Sequence, residues 1–155
     1  MIKKGDILLV KYNLDPIGWL IRKFTKSNWN HVAWVLNKYT VIESCRKGII
    51  LTPISKYKNK ILYETKLKRI KNISKKDLDI AINIALKFKR KRNYFKLLLT
   101  FINVYLKINN KLPDVTCSGL ISYCLSKVSF YFNKNKHPLM TVPEDINKCR
   151  RLYNV

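Results

Sequence analysis

Acidic residues are scarce in this chain, 9 Asp and Glu against 32 Lys and Arg, for a net charge of +23. That balance excludes an acidic surface and favours contact with polyanions such as nucleic acid, anionic lipid or an acidic cell-wall polymer. Glycine (4) and proline (5) are also few, which argues against long disordered segments. Histidine occurs only twice, and the four cysteines, Cys45, Cys117, Cys124 and Cys149, form no CxxC pair and no zinc spacing. A metal site and a disulfide framework are therefore not expected, nor is any cofactor. Long apolar runs are missing as well. The most apolar segment, Leu97 to Leu106, is about half the length that spans a bilayer. The opening MIKKGDILLVKYN has only Ile7 to Val10 as an apolar stretch, too short for a signal peptide. The expectation is a soluble chain in a reducing cytoplasm.

What is present suffices for one domain over residues 1–155, since 47% of the residues are hydrophobic and can bury a core. Of the basic residues 25 are Lys and 7 are Arg, in a background rich in Asn, Ile and Tyr. An AT-rich genome encodes that mixture, so the charge has a compositional explanation beside the functional one. Specific nucleic-acid readers favour Arg, whose planar fork matches base edges and phosphates. No obligate nucleic-acid partner is expected, an anionic surface stays open as a partner, and the oligomeric state is not legible.

The first half reads as β. Short runs rich in Val, Ile, Tyr and Thr, separated by turn residues, predict strands over Asp6–Val10, His31–Leu36, Thr40–Cys45, Ile49–Pro53 and Lys60–Lys66. A short helix over Ile17–Phe24 follows the Asp15-Pro16 turn. The second half reads as α. Ser74-Lys75-Lys76-Asp77 has a capping-box pattern, and Leu78, Ala81, Ile82, Ala85 and Phe88 then recur at helical spacing. A second helix is expected over Tyr94–Ile108, broken by Asn109 to Pro113. A third should start near Thr116 and run through Leu125, burying Leu120, Ile121 and Cys124. Strands followed by helices predict an α+β domain with one antiparallel sheet of about five strands.

Three places carry chemistry. Cys117, in Asp114-Val115-Thr116-Cys117-Ser118-Gly119-Leu120, falls at a predicted helix start, where unpaired N–H groups and the helix dipole favour a thiolate nucleophile. The same N–H groups, with Ser118, could stabilise an oxyanion, and Ser118 and Gly119 keep the first turn narrow enough for a substrate to approach. Cys117 could equally be a small core residue. His31 begins a strand and is the better candidate for the base, because His137 sits in the polar stretch NKNKHP. A strand-end histidine bonded to backbone is the alternative. Glu43 lies inside the apolar strand Val41-Ile42-Glu43-Ser44, where a carboxylate needs a partner. A hairpin of the second and third strands could bring it to His31, whose tautomer it would fix. Otherwise it faces outward and pairs with Arg46 or Lys47. Trp29 and Trp19 are candidate walls of a substrate cleft.

At these residues the chain resembles the circularly permuted NlpC-type cysteine hydrolases, the YiiX-like and poxvirus-like branch of the papain-like superfamily. The lecithin retinol acyltransferase-like enzymes are more distant relatives. Five blocks in order carry the resemblance: Gly5-Asp6-Ile7-Leu8-Leu9, then Phe24-Thr25-Lys26-Ser27 with Asn30-His31-Val32-Ala33, then Val41-Ile42-Glu43-Ser44, then Thr116-Cys117-Ser118-Gly119-Leu120-Ile121, and last Val142-Pro143-Glu144-Asp145-Ile146. Where the family often has Glu after Cys-Ser, this chain has Gly119. The resemblance implies a permuted papain-like fold with Cys117 as nucleophile, His31 as base and Glu43 orienting it. It implies cleavage of an amide or ester, in a cell-wall peptide or a lipid-like substrate. Two other functions stay open. One is a lipid acyltransferase or phospholipase, in which a second acceptor replaces water. The other is a non-catalytic basic module, supported by the run Lys87–Arg92, whose neighbour Leu97–Leu106 could lie on anionic lipid.

Overall fold

Apolar residues in the N-terminal half alternate or run together at strand spacing, and the chain folds there into five antiparallel strands, to which a short sixth is added near residue 152. The computed structural model describes residues 1–45, 48–88 and 115–155. The elements are β1 (Ile7–Tyr12), α1 (Pro16–Thr25), β2 (His31–Val35), β3 (Thr40–Cys45), β4 (Gly48–Pro53), a 3-10 helix (Ile54–Lys58), β5 (Tyr63–Ile70), α2 (Lys75–Lys87), α3 (Cys117–Ser126), a second 3-10 helix (Pro138–Met140), α4 (Pro143–Lys148) and β6 (Leu152–Asn154). The strand order in the sheet is β4-β3-β2-β1-β5-β6. The expected helix Tyr94–Ile108, the break at 109–113, residues Arg46 and Lys47, and the basic run beyond Lys87 lie outside the described residues.

The α+β class holds, and the sheet has six strands where about five were expected. The added strand, β6, has only three residues, which pair with Ile70, Arg69 and Lys68 of β5. So short a segment carries no periodic signal. The fifth strand begins at Tyr63 rather than Lys60 because Asn59 forms a turn: its Oδ1 accepts from the N–H of Ile61 at 3.0 Å and of Leu62 at 3.3 Å. Pro16 occupies the first helical position of α1, where its fixed φ suits the helix and its missing N–H costs nothing. Ser74 caps α2 by accepting from Asp77 N–H at 3.0 Å, as its pattern predicts.

Both faces of the sheet are covered, so Ile7 to Val10 of β1 are all buried. One face, with Ile7, Leu9, Val32, Trp34 and Ile42, packs against α2 and α3 through Ala81, Ile82, Leu120, Ile121, Cys124 and Leu125. Leu8, Val10, Ala33, Val35 and Val41 form the other face, which Tyr57 of the first 3-10 helix covers. Asp6, at the foot of β1, is buried and gripped by Arg69 of β5 through two bonds, Nε to Oδ1 at 2.7 Å and Nη2 to Oδ2 at 2.8 Å. Among the described residues no helix is long and apolar enough to cross a membrane.

Candidate active site

The hairpin of β2 and β3 places Ala33 opposite Glu43, and β1 places Val10 opposite His31. Side chains alternate across a strand, so His31 and Glu43 share the sheet face that carries Val10 and Ala33. His31 Nε2 lies 2.6 Å from Glu43 Oε2. The start of β2 is held by Asn30, whose Oδ1 accepts from Tyr12 N–H at 3.0 Å and whose own N–H donates to Val10 O at 3.2 Å.

α3 packs on the opposite face, yet its N-terminus reaches the same end of the sheet. Ser44, beside Glu43 on β3, donates from Oγ to Val115 O at 3.3 Å and ties the chain entering α3 to that end. Thr116 caps the helix: its Oγ1 accepts from Gly119 N–H at 2.8 Å, and its carbonyl accepts from Leu120 N–H at 2.8 Å. The N–H groups of Cys117 and Ser118 precede these at the head of the helix. The Cys117 side chain is hydrogen-bonded to His31. On the other side of the pair, Nε2 is the ring nitrogen that meets Glu43. The structure therefore brings Cys117, His31 and Glu43 together.

The electrostatics of the three are coupled. Burial opposes a charge on His31, but the Cys117 thiolate and the Glu43 carboxylate outweigh it and push the imidazolium pKa up to about 9. Burial likewise opposes the Glu43 charge. The hydrogen bond and charge of His31, with bonds from Thr52 and Tyr57, overcome that and hold the carboxyl well below its usual range.

Glu43 is 1% exposed and each of its oxygens has two donors. Oε2 accepts from His31 and from Tyr57 Oη at 2.5 Å; Oε1 accepts from Thr52 Oγ1 and from Lys56 Nζ at 3.1 Å. Among the described residues Lys56 is a cation partner of Glu43; Arg46 and Lys47 lie outside them. Tyr12 places its ring edge-on to His31, with centroids 6.0 Å apart, and also stacks edge-on with Tyr63 at 4.8 Å. Sequence reasoning missed Thr52, Lys56, Tyr57 and Tyr12. Thr52 left a signal, because it is a polar residue in an apolar strand that pairs with the Glu43 strand at Val41. Tyr57 left none, since it comes from a 3-10 helix too short to carry a periodic pattern.

Three other expectations need correction. Ser118 is buried, and its hydroxyl donates to Thr141 O at 2.6 Å, so only its backbone remains for an oxyanion. The narrow turn at Gly119 does not admit substrate: the Leu139 carbonyl packs there, 2.8 Å from where a Cβ would stand. Trp29 is not a cleft wall but part of the main core, 7% exposed. Trp19 lies on α1, 54% exposed, with Lys23 Nζ 5.1 Å from its ring centre. His137 is exposed and caps the second 3-10 helix, its Nδ1 accepting from Leu139 N–H at 3.3 Å. Comparison with known proteins finds neither a family model nor a curated protein that matches this sequence.

Proposed function

We propose that this protein is a cysteine hydrolase that cleaves an amide or ester bond, built on a circularly permuted papain-like fold. The observation that carries the reading is the chain of contacts Cys117–His31–Glu43, with the sulfur at a helix N-terminus and the carboxylate buried. A thiolate beside an imidazolium is the nucleophilic form of such a pair. The permutation lies in chain order, with the histidine strand ahead of the cysteine helix; roles and geometry define the site, not order.

In the proposed reaction the Cys117 thiolate attacks the substrate carbonyl and forms a C–S bond. The developing oxyanion is met by the N–H groups of Cys117 and Ser118. His31, as imidazolium, gives its proton to the leaving amine or alkoxide as the C–N or C–O bond breaks. This leaves a thioester on Cys117 and a neutral imidazole. Water then attacks the thioester, His31 takes its proton, and the acid departs with the thiolate restored. Glu43 holds the ring in place through Nε2 and favours its charged form throughout.

A panel of electrophilic amides, esters and lipids, read by intact mass, tests this reading. The expected result is one acyl group on Cys117 from at least one substrate, absent in Cys117→Ala. Acylation that persists in that variant would overturn it. Repeating the productive reaction with a lipid acceptor separates hydrolysis from acyl transfer.

A further inference from the structure

One concave site has a lining that does not include Cys117, His31 or Glu43. It is an open groove between the end of α1 and the segment from Tyr131 to Arg151, with a volume of about 620 Å³. That is within the range of small-molecule sites, roughly 300–1,000 Å³. Its walls carry six cations, Lys26, Lys134, Lys136, Lys148, Arg150 and Arg151, against two carboxylates, Glu144 and Asp145.

Both carboxylates are already engaged within the protein. Asp145 receives Lys136 Nζ at 2.9 and 3.0 Å and caps α4 by accepting from Val142 N–H at 2.9 Å. Glu144 accepts from Ser27 Oγ and Asn147 Nδ2, each at 3.1 Å, with Lys148 Nζ at 3.7 Å. Two of the six cations are thereby matched. Lys26, Lys134, Arg150 and Arg151 have no carboxylate partner among the described residues. The groove therefore keeps an excess of four positive charges.

The general basicity of the chain does not account for this composition. Arginine is the minority cation, 7 of 32, yet two arginines stand side by side here. The central guanidinium carbon of Arg151 lies over the Phe130 ring, 4.1 Å from its centre. That contact holds the cation against an aromatic surface, and an arginine fork carries paired N–H groups that match a planar pair of oxygens. Arginine forks bind phosphate bidentately, with charge-assisted bonds. One phosphate monoester carries about 1.5–2 negative charges near neutral pH, so two phosphates match an excess of four cations. The concave shape suits a compact molecule rather than a flat bilayer.

We propose that this groove binds a small soluble ligand carrying two phosphate groups. The assignment is separate from the hydrolase reading and involves no turnover, so either can fail without the other. The test is a titration of the ¹⁵N-labelled full chain with pyrophosphate at about 0.15 M salt, where diffuse surface attraction is screened. The expected result is saturable one-site binding, with amide shifts confined to residues 26, 131–136 and 142–151. The paired charge reversal Lys134→Glu with Arg150→Glu should weaken binding about tenfold or more, whereas Lys60→Glu with Lys76→Glu, an equal change at exposed positions elsewhere, should weaken it less than about twofold. If the first pair fails to fold by circular dichroism, Lys134→Gln with Arg150→Gln replaces it, with a loss of about threefold expected. Equal losses in the two pairs, or shifts spread over the whole basic surface, would overturn the assignment. So would a groove variant that loses adhesion to phosphatidylglycerol vesicles while pyrophosphate binding stays intact.

Discussion

His31 Nε2 stands 2.6 Å from Glu43 Oε2 across two neighbouring antiparallel strands, on one face of the sheet. The carboxylate that orients the ring is itself fixed by Thr52, Lys56 and Tyr57. The imidazole can therefore turn neither away from Glu43 nor away from the sulfur without breaking a bond. A base so held should be more important than the group that holds it. His31→Ala should lower kcat/KM by on the order of 10²–10⁴, the usual worth of general acid–base catalysis. Glu43→Gln should lose less, because the ring keeps its place beside Cys117. Equal loss in two folded variants would give Glu43 a more direct part in the chemistry.

Tyr57 is 5% exposed and its hydroxyl donates to a buried carboxylate. Tyr57→Phe removes that donor and leaves the ring packing in place. A hydrogen bond to a charged group contributes about 1.5–3 kcal/mol. The expected loss of unfolding free energy is about 2 kcal/mol, read from the urea midpoint at unchanged slope. A midpoint equal to that of the parent would show that Glu43 does not depend on Tyr57.

Gly119 has a packing reason, not a conformational one. A Cβ there would stand 2.8 Å from the Leu139 carbonyl and 2.8 Å from Thr116 Oγ1. Gly119→Ala should therefore push the 139–141 segment off the first turn of α3 and disturb the cap. The expected cost is about 1–3 kcal/mol, as for other overpacking changes. Thermal melts check the stability, and slower alkylation of Cys117 checks the link from this contact to the site. A fully stable Gly119→Ala with unchanged alkylation would rule out the close approach.

The charged groups of the site also set a pH window for stability. The folded pKa of His31 is raised from 6.5 to about 9, so its contribution is complete below about 6.5 and is lost as pH rises through 9. The Glu43 pKa is lowered, so its contribution is present above its ordinary value of 4.5 and is lost as pH falls below that. Stability from this pair should be greatest between about 4.5 and 6.5. The thiolate is the foremost cause of the His31 rise, so Cys117→Ala should flatten the alkaline limb and spare the acid one. Urea midpoints from pH 4 to 10 give both limbs, and an unchanged alkaline limb in the variant would separate the thiolate from His31.

Much of the fold was legible because its signals are local. The apolar strand runs, the Ser74 cap and the helix after Thr116 each stand on a few adjacent residues and were found within a few positions. The grouping of the candidate site was legible for a related reason. A cysteine at a helix start, a histidine at a strand start and a carboxylate in an apolar strand are each anomalous where they stand. What the sequence hid depends on contacts between distant segments. Lys56 and Tyr57 reach Glu43 from a short 3-10 helix, and Thr141 meets Ser118 from the end of another. Trp29 reads as an aromatic beside a candidate base, but only the packing of α3 on the sheet shows that it belongs to the core. The groove of Arg150 and Arg151 was hidden by the basicity of the whole chain, since its charge differs from the background only once its carboxylates are seen to be paired.

The central claim is that Cys117 is a thiolate paired with His31, and the pH dependence of its alkylation tests this most directly. Native protein is treated briefly with iodoacetamide from pH 5.5 to 9, and the four cysteines are read by peptide mapping. Cys124 and Cys149 are buried, and burial pushes the Cys124 thiol up to about 12; Cys45 is half-buried, as Cys117 is. The account predicts that Cys117 reacts fastest and that its rate is nearly flat from about pH 6 to 8, because an ion-paired thiolate is already formed there. In His31→Ala the rate near pH 6 should fall, and the climb with pH of an ordinary thiol, whose pKa is about 8.5, should return. Faster labelling of Cys45, or a Cys117 profile in native protein that climbs like an ordinary thiol, would contradict the account.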